Sequence, residues 1–385
     1  MEDAMYVQYF NESHDMLRDS LRKFIAREIS PYVEQWEEEG TFPRELYKKA
    51  GDAGHIGMGY PEEYGGTPGD LFHVVVYTEE MMRCGSVGLV NSLGCSAIAV
   101  PPIIAVGTEE QKKKYVPPVL AGDQIAVLGI TEPGGGSDVA NLQTRAQRKG
   151  NSYIVNGSKT FITSGTRADY VTCAVRTGGP GFGGVSLLII EKGTPGFTVS
   201  KKIDKMGWRA SDTAELAFED CEVPAENLLG EENQGFGYIM LNFAKERLYL
   251  AVSAQAVAEY ALDESIKYAK ERIAFGRPLT GFQVTRHKLA KMATLLEASK
   301  QFNYRVAAMI DENIPAYKEV CMAKNFATTV CDKIVYEAVQ IHGGYGYCSE
   351  YPVERLYRDS RLFSIGGGTT EIMNEVISRQ MGLGK

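Results

Sequence analysis

A glycine-rich turn in the first half of the chain is the first place where residue types suggest binding chemistry. Residues 128–138 read LGITEPGGGSD, a short apolar run that enters three consecutive glycines. Glycines leave the backbone amides bare, so a planar or phosphorylated ligand could approach them closely. Thr131 and Ser137 add hydroxyl groups that could bond the edge of a ring. A wide surface turn would use the same residues, and the turn alone does not decide between the two interpretations.

One carboxylate, Glu246, is well suited to acid–base chemistry. It falls within an apolar stripe on a predicted helix that begins near residue 238, and that stripe contains Ile239, Phe243, Leu250, Ala254 and Val257. A carboxylate on a core-facing stripe is costly unless it is paired or functional, and a desolvated glutamate is a stronger base. The alternative is an exposed ion pair within the Lys-Glu-Arg run at 245–247, worth less than about 1 kcal/mol. The stripe favours a general base.

Sequence periodicity divides the chain into three parts that would position these groups. Residues 1–123 read mostly as helices. Residues 124–232 carry short runs of β-branched and aromatic residues between Gly, Asn and Pro, which predict a β-domain of hairpins. Residues 233–385 return to helical patterns that predict an antiparallel bundle. The predicted bundle helices are 238–273, 283–311, 315–342 and 370–381. Helices, then strands, then helices predict an α+β protein.

Composition and charge argue against several classes of function. The 385 residues are 44% apolar and 23% charged, as in an ordinary globular protein with room for two or three packed units. The net charge of −8 argues against a general affinity for nucleic acid or anionic lipid. The seven cysteines form no CxxC pair, which suggests reduced thiols, and the five histidines are too dispersed to indicate a metal site.

Three segments resemble signals that we do not expect the chain to use. Residues 87–107 carry no charge over 21 positions, but Asn91, Ser92 and two prolines interrupt them, which favours a buried, broken helix over a membrane span. Residues 179–184, GPGFGG, match the letters of a dinucleotide fingerprint, yet a strand follows where a helix is needed, so we expect a hairpin loop. The N-terminus lacks a basic region followed by an apolar core, so we expect no signal peptide.

Several motifs in a fixed order carry a family resemblance. They follow the turn at 128–138 and read NGSKTFITSG at 156–165, RIAFG at 272–276, QIHGGYG at 340–346, YRD at 357–359 and GGGTTE at 366–371. With these motifs the chain resembles the acyl-CoA dehydrogenases from about residue 10 to the C-terminus. Each motif is weak alone, and their order makes coincidence improbable. The resemblance implies FAD bound between the β-domain and the helical bundle.

The resemblance also implies which residues hold FAD. Thr131 and Thr163 would bond the edge of the flavin ring, and Phe161 would pack on it. Gly136 and Ser137 would lie at the flavin phosphate and the thioester side of CoA. Thr369 and Glu371 would contact the cofactor near the start of the last helix, where free N–H groups favour phosphate. The pyrophosphate and adenosine of a neighbouring subunit's FAD would be held by Arg272, Phe275, Gln283, Gln340, Gly343 and Gly344.

The implied reaction is α,β-dehydrogenation of a fatty acyl-CoA, in which a carboxylate takes the α-proton. Many family members carry that carboxylate where this chain has Gly367. The long-chain and isovaleryl branches carry it on the internal helix, in a Glu-Arg pair that Glu246 and Arg247 match. The N–H of Gly367 would then serve the thioester carbonyl, and Phe243 and Arg247 would also contact substrate. On this interpretation, Gly367→Glu should partly restore activity to a Glu246→Gln protein.

Substrate length and partners are implied by the resemblance, and the expected location rests on the lack of a recognisable presequence. Val90 and Gly94 align with the floor of the acyl cavity, and their small side chains favour a longer or branched acyl chain. The family is usually a homotetramer that passes electrons to electron-transferring flavoprotein. A bacterial cytoplasm is preferred over a mitochondrial matrix reached after presequence removal. The open alternatives are an acyl-CoA oxidase, a family member with diverted chemistry such as a desulfinase, and a non-catalytic CoA- or flavin-binding partner.

Overall fold

Short helices build the N-terminal part of the molecule. The structure, a computed structural model, describes residues 6–384, so the first five residues of the expected non-signal N-terminus lie outside it. Asn11 caps the first helix, whose buried face carries Leu17, Leu21 and Phe24 at helical spacing. The helices are α1 (Glu12–Glu28), α2 (Val33–Glu39), α3 (Glu45–Asp52), α4 (Leu71–Met82), α5 (Val87–Leu93), α6 (Ser96–Ala99), α7 (Pro101–Val106) and α8 (Glu109–Leu120).

The uncharged segment at 87–107 forms α5, α6 and α7 rather than one long helix. Pro101 starts α7, and most side chains of the segment are buried against the rest of the protein. Within residues 6–384 no single helix is long and apolar enough to cross a membrane. One bent pair, 87–93 with 96–106 at 47°, meets that test by length and composition only. The prediction of a buried, broken helix is confirmed, but the 47° bend lies at Gly94 and Cys95, ahead of the prolines where it was expected.

An eight-stranded sheet forms the middle of the molecule. Its strands are β1 (Ala126–Gly129), β2 (Arg145–Lys149), β3 (Ser152–Thr163), β4 (Tyr170–Arg176), β5 (Val185–Glu191), β6 (Phe197–Lys202), β7 (Thr213–Pro224) and β8 (Leu228–Leu229). The order is β6-β7-β3-β2-β4-β5-β8. β1 pairs with β4 in parallel, which a pattern of hairpins does not describe. The segment at 179–184 lies between antiparallel β4 and β5, so the predicted hairpin loop is confirmed.

Differences from the predicted strands have physical causes. The sequence pattern predicts two separate strands around YIVNG at 153–157 and KTFITSG at 159–165, but residues 152–163 form one strand, β3, whose pairing with β7 shifts register between Val155 and Gly157. The sequence pattern does not predict strands β2 and β6, because nearly all of their side chains are exposed. Without alternating burial, neither strand carries the period-2 apolar signal that identifies strands in sequence.

Long helices form the C-terminal part, as predicted. They are α9 (Gly235–Glu271), α10 (Gln283–Asp311), α11 (Tyr317–His342), α12 (Pro352–Ser360) and α13 (Thr370–Gln380), and a short β-hairpin of β9 (Ile273–Ala274) and β10 (Arg277–Pro278) joins α9 to α10. The sequence pattern did not predict α12, a nine-residue helix with Pro352 at its start. Its length is below that at which periodicity separates helix from strand.

The three parts share one continuous hydrophobic core, which fixes their relative positions. Thr172 of the sheet donates to the Ala99 carbonyl of α6 at 2.9 Å. The indole N–H of Trp208 donates to the carbonyl of Asp359 in α12 at 3.0 Å. Any cavity between the sheet, the N-terminal helices and the bundle therefore has walls whose relative positions are fixed.

Candidate active site

A large cavity lies where the three parts meet. Its volume is about 1610 Å³, which exceeds the roughly 300–1000 Å³ typical of a site for one small molecule. The walls combine one face of α4, the glycine-rich turn after β1, the middle of α9 and the loop before α13. The cavity has room for more than one ligand, and most of its lining is apolar.

Glu246 lies on this cavity and faces it. Its Oε1 accepts a hydrogen bond from Asn242 Nδ2 at 3.0 Å, one helical turn earlier. Within residues 6–384 no lysine or arginine forms an ion pair with Glu246, so the alternative of an exposed Lys-Glu-Arg ion pair fails. Burial raises the pKa of the Glu246 carboxyl to about 7, and the Asn242 bond and Arg247 lower it by less. A carboxyl with this pKa is suited to taking and returning a proton near neutral pH.

The raised pKa predicts a pH dependence of activity. Because a base must be ionised, we expect kcat/KM of the holoenzyme to fall about tenfold per pH unit below about pH 7. Asn242→Ala removes a bond that favours the charged carboxylate, so it should move this limb to higher pH. Steady-state kinetics from about pH 5 to about pH 9, a range that spans this pKa, would check both expectations. If the acidic limb of the kcat/KM profile stayed at the same pH in Asn242→Ala, the group that titrates would not be Glu246.

The glycine loop at 366–368 forms the wall of the cavity before α13. Gly367 and Gly368 adopt φ of +62° and +92°, which side chains other than glycine rarely tolerate. A Cβ at Gly367 would lie 2.3 Å from Leu250 Cδ1. Among the described residues, no carbonyl accepts a hydrogen bond from the Gly367 N–H. Gly367 therefore combines a place in the cavity wall with a backbone donor that has no partner in residues 6–384.

This geometry corrects the expectation that a glutamate at 367 could simply replace Glu246. A side chain there must adopt a strained backbone conformation and displace Leu250. The space that the missing carboxylate would need is filled by Leu250 from α9. Rescue by Gly367→Glu alone is accordingly no longer expected.

The glycine-rich turn forms another part of the cavity wall, together with residues at the end of β3. Phe161 adopts φ of +60° and leaves 65% of its surface exposed. The side-chain hydroxyls of Thr131 and Thr163 have no protein partner within residues 6–384. An exposed aromatic ring beside two unpartnered hydroxyls offers a stacking surface and edge donors for a planar ligand. Gly136, Ser137, Phe243, Gly94 and Thr369 also line the cavity.

A buried ion pair that the sequence analysis missed anchors this turn. Lys159 Nζ lies 2.8 Å from Glu132 Oε1, and it also donates to the carbonyl of Ile130 at 3.0 Å. Burial alone would raise the pKa of Glu132, but Lys159 and the hydrogen bonds from Thr144 and Gln143 together lower it below its usual value. Glu132 belongs to the motif at 128–138 and Lys159 to the motif at 156–165. Their opposite charges in two neighbouring motifs were the one sequence feature that could have indicated the pair. The pair fixes the turn against β3.

Six of the predicted cofactor residues lie away from this cavity, on another part of the surface. Arg272, Phe275 and Gln283 belong to the connection between α9 and α10, and Gln340, Gly343 and Gly344 to the end of α11. The two groups are adjacent, because the Arg272 guanidinium lies 5.7 Å from the centre of the Tyr345 ring. Phe275 leaves 94% of its surface exposed. Their assignment to a neighbouring subunit's cofactor stays a prediction.

Three further predicted residues do not line the cavity. Val90 is fully buried within α5, where it packs into the core, while Gly94 of the same region does face the cavity. Arg247 follows Glu246 on α9 and therefore points to a different side of the helix. Its side chain enters the bundle, where Nη1 lies 3.5 Å from Cys321 Sγ. Glu371 sits in the first turn of α13, and Thr369 caps that helix by accepting from the Ile372 N–H.

A pair of histidines that are distant in sequence meets beside Asp70. His14 Nε2 and His73 Nδ1 lie 3.0 and 2.8 Å from Asp70 Oδ1, distances that would allow a metal ion. His14 Nδ1, however, accepts the Asn11 N–H at 3.0 Å, so the ring carries its proton on Nε2 and donates it to Asp70. A protonated nitrogen cannot ligate a metal. The cluster therefore joins the N-terminal caps of α1 and α4.

Comparison with family models matches nearly the whole chain. The models described as the N-terminal, middle and C-terminal domains of acyl-CoA dehydrogenase match residues 11–123, 127–221 and 233–382. The matches follow the order of the chain and include Glu246, the glycine-rich turn and the glycine loop.

Individual proteins agree with these matches. A probable acyl-CoA dehydrogenase from Mycobacterium abscessus has a crystal structure that is 51% identical, with a TM-score of 0.96 over 97% of this chain and 100% of that one. The mitochondrial long-chain specific acyl-CoA dehydrogenase of Rattus norvegicus is 40% identical over 97% of this chain and 87% of its own length. A glutaryl-CoA dehydrogenase from Mycobacterium smegmatis, solved in complex with FADH2, is 28% identical, with a TM-score of 0.92 over 97% of this chain and 95% of that one.

Proposed function

This chain belongs to the acyl-CoA dehydrogenase family, and we propose that it oxidises a long-chain or branched acyl-CoA to the 2-enoyl-CoA with Glu246 as the base. Members of the family are oxidoreductases that act on CH–CH bonds with a flavin. The observation that supports the base most strongly is the position of Glu246. It is a desolvated carboxyl without an ion-pair partner in residues 6–384, on a cavity whose facing loop offers a free N–H.

The residues of the cavity fit FAD as the cofactor. Phe161 offers an exposed ring for stacking, and the hydroxyls of Thr131 and Thr163 are free to bond the ring edge. A Cβ at Gly134 or Gly135 would meet no atom within 4 Å, so this turn has open space for a phosphorylated group, although the Gly135 N–H already donates to the Glu132 carbonyl at 3.0 Å. Bound FAD supplies an acceptor for the hydride that leaves the β-carbon of the substrate.

The proton side of the reaction rests on residues of this chain. A thioester acidifies its α-carbon, and the Glu246 carboxylate is desolvated enough to take that proton. The Gly367 N–H is available to the thioester oxygen, where negative charge develops as the proton leaves. An apolar lining excludes water, which strengthens both interactions.

Anaerobic addition of an acyl-CoA to the FAD-loaded protein tests the proposed reaction. Dehydrogenation predicts loss of the oxidised-flavin absorbance and formation of the 2-enoyl thioester. A non-catalytic flavin-binding protein would leave the spectrum unchanged, and a desulfinase would leave ordinary acyl-CoA intact. An oxidase would bleach in the same way, but under air it would form hydrogen peroxide at the rate of turnover. Failure of both bleaching and product formation would contradict the proposal.

The proposed substrate length is supported by one face of α4. Leu71, Val74, Val75 and Thr78 occur at helical spacing and line the cavity together. This wall runs for about 10 Å, since seven residues of helix rise about 1.5 Å each. Gly59 from a neighbouring loop lies against it, because a Cβ there would come within 3.7 Å of Val74 Cγ2. An apolar wall of this length suits an extended hydrocarbon chain.

A larger side chain on this wall should shorten the preferred acyl chain. Val74→Phe adds a ring to a position that already faces the cavity, and we expect about a tenfold loss of kcat/KM for the longest thioesters with little change for the shortest. A panel of saturated acyl-CoAs of increasing length measures this. Val199→Phe, at an exposed position on β6, is the matched control. Equal loss at every length would show that the α4 wall does not contact the acyl tail.

Partners and location complete the proposal. We infer electron-transferring flavoprotein as the electron acceptor and a homotetramer as the assembly, as the family resemblance implies. The six residues around the ends of α9 and α11 support the assembly, because an exposed Phe275 beside Arg272 would otherwise face water. A bacterial cytoplasm stays the preferred location, and relatives from a Mycobacterium and from mitochondria fit either alternative.

A further inference from the structure

Two buried cations lie behind the glycine loop without an acid to balance them. Lys324 of α11 is 1% exposed, and its Nζ donates to the Gly368 carbonyl at 2.6 Å. Arg247 of α9 lies beside it, and the Arg247 Nε has no hydrogen-bond partner. Within residues 6–384 neither cation forms an ion pair with a carboxylate. Among the described residues this positive charge therefore has no carboxylate partner, and the Arg247 guanidinium contacts only the ring of Phe243, at 5.1 Å from its centre, and Cys321.

Stability does not explain this lysine. Removing an ammonium group from water is costly unless an opposite charge balances it, and among the described residues no carboxylate balances Lys324. Burial and Arg247 together lower the pKa of Lys324 to about 8, so the fold holds the charge at a cost. We therefore look for the role of Lys324 in the groups that its side chain contacts.

Lys324 contacts the part of the loop that would serve the substrate. Its Cε lies 3.8 Å from the position of a Cβ on Gly367. The next residue, Asn325, donates to the Thr370 carbonyl at 3.4 Å, so α11 holds the loop on both sides of Thr369. Gly367 and Gly368 lack a Cβ, so their backbone can adopt many conformations besides the positive φ values observed unless a contact fixes it. A bonded Gly368 carbonyl fixes the loop conformation and thereby the direction of the Gly367 N–H.

We propose that Lys324 is a positioning residue for the reaction: it holds the glycine loop so that the Gly367 N–H meets the thioester oxygen, and it adds positive charge behind that donor. The proposal rests on the function proposed above. An N–H that is already aligned, with a cation behind it, stabilises charge that develops in the transition state more than it stabilises the neutral thioester. Removing Lys324 should therefore slow proton removal and leave substrate affinity nearly unchanged.

The test isolates proton removal from hydride transfer. A 3,3-dimethylacyl-CoA has α-protons but no β-hydrogen, so the FAD-loaded enzyme can exchange its α-protons with D2O without oxidising it. Mass spectrometry gives the exchange rate, and titration gives the affinity for the same thioester. The variant is Lys324→Met, and Lys333→Met, at an exposed position on the same helix, is the control.

We expect exchange in Lys324→Met to fall by about 10- to 100-fold, with affinity within about threefold and a Tm no lower than that of the wild type. Lys333→Met should match the wild type in all three. Lys324→Gln, which keeps an amide donor, should recover part of the rate, and it provides the same comparison if Lys324→Met does not fold.

Two results would overturn the inference while leaving the proposed function intact. One is exchange at the wild-type rate in Lys324→Met. The other is a parallel fall of exchange, affinity and Tm, which would make Lys324 a structural residue. Failure of the wild-type protein to exchange at all would instead contradict the proposed function, and the inference would fall with it.

Discussion

Glu246→Gln should keep the fold, the cofactor and acyl-CoA affinity, but lose about 10²- to 10⁴-fold in kcat. Glutamine has the shape of glutamate and can keep the contact with Asn242, so the cavity should persist. It cannot accept the α-proton. Stopped-flow mixing with acyl-CoA under anaerobic conditions measures the expected loss as slower bleaching of the flavin. Bleaching at the wild-type rate would remove Glu246 from the mechanism.

The same variant makes a prediction about stability that serves as a control for folding. A carboxyl whose pKa is raised in the folded protein loses stability as pH rises, from the unfolded value near 4.5 through about 7. Glutamine does not titrate, so above pH 7 Glu246→Gln should be more stable than the wild type by at most about 3 kcal/mol. The difference should vanish at low pH. Denaturant unfolding at several pH values would reveal it, and a variant less stable at high pH would contradict the desolvated carboxylate.

Gly367→Ala should reduce kcat by about 10²-fold although it leaves Glu246 untouched. The added methyl group meets Leu250 Cδ1 at 2.3 Å, and alanine is strained at φ of +62°. The Leu250 side chain can relieve part of the clash, but the strain at positive φ acts on the loop itself, so we expect the Gly367 N–H to shift. Gly366→Ala is the matched control, because a Cβ there meets only Leu362 atoms, the nearer at 3.5 Å. Equal rates in the two variants would mean that the Gly367 N–H does not serve the reaction.

The contact between position 367 and Leu250 also determines whether the catalytic base can be moved to the glycine loop. In a Glu246→Gln background, Gly367→Glu alone should stay inactive, because its side chain collides with Leu250. Adding Leu250→Ala opens that space, and the triple variant should recover measurable bleaching. Recovery without the Leu250 substitution would show that the loop is more adaptable than its geometry suggests.

The fold could be predicted from the sequence wherever burial leaves a periodic signal. α10 begins and ends where the pattern predicts, and α9 begins three residues early. The exposed strands β2 and β6 and the short helix α12 carry no such signal, so only tertiary pairing identifies them. The turn at 128–138 was ambiguous alone, and the family resemblance gave it an interpretation.

The site could be predicted in its types of residue but not in its contacts. Glu246 was found because a carboxylate on an apolar stripe is unusual. No sequence pattern reports that Leu250 fills the space beside Gly367, or that Lys324, 78 positions after Glu246, reaches the same loop. Val90 and Arg247 were placed on the cavity by analogy, and neighbouring side chains on α5 and α9 point to different sides. Such distinctions depend on a rotation of one residue along a helix.

The central claim is that Glu246 removes the α-proton, and exchange without oxidation tests it most directly. The FAD-loaded wild type and Glu246→Gln are incubated in D2O with a 3,3-dimethylacyl-CoA, and deuterium at the α-carbon is followed by mass spectrometry. We predict exchange by the wild type and a rate at least about 10²-fold lower in the variant, with equal thioester affinity. Equal exchange by both proteins would contradict the assignment of the base.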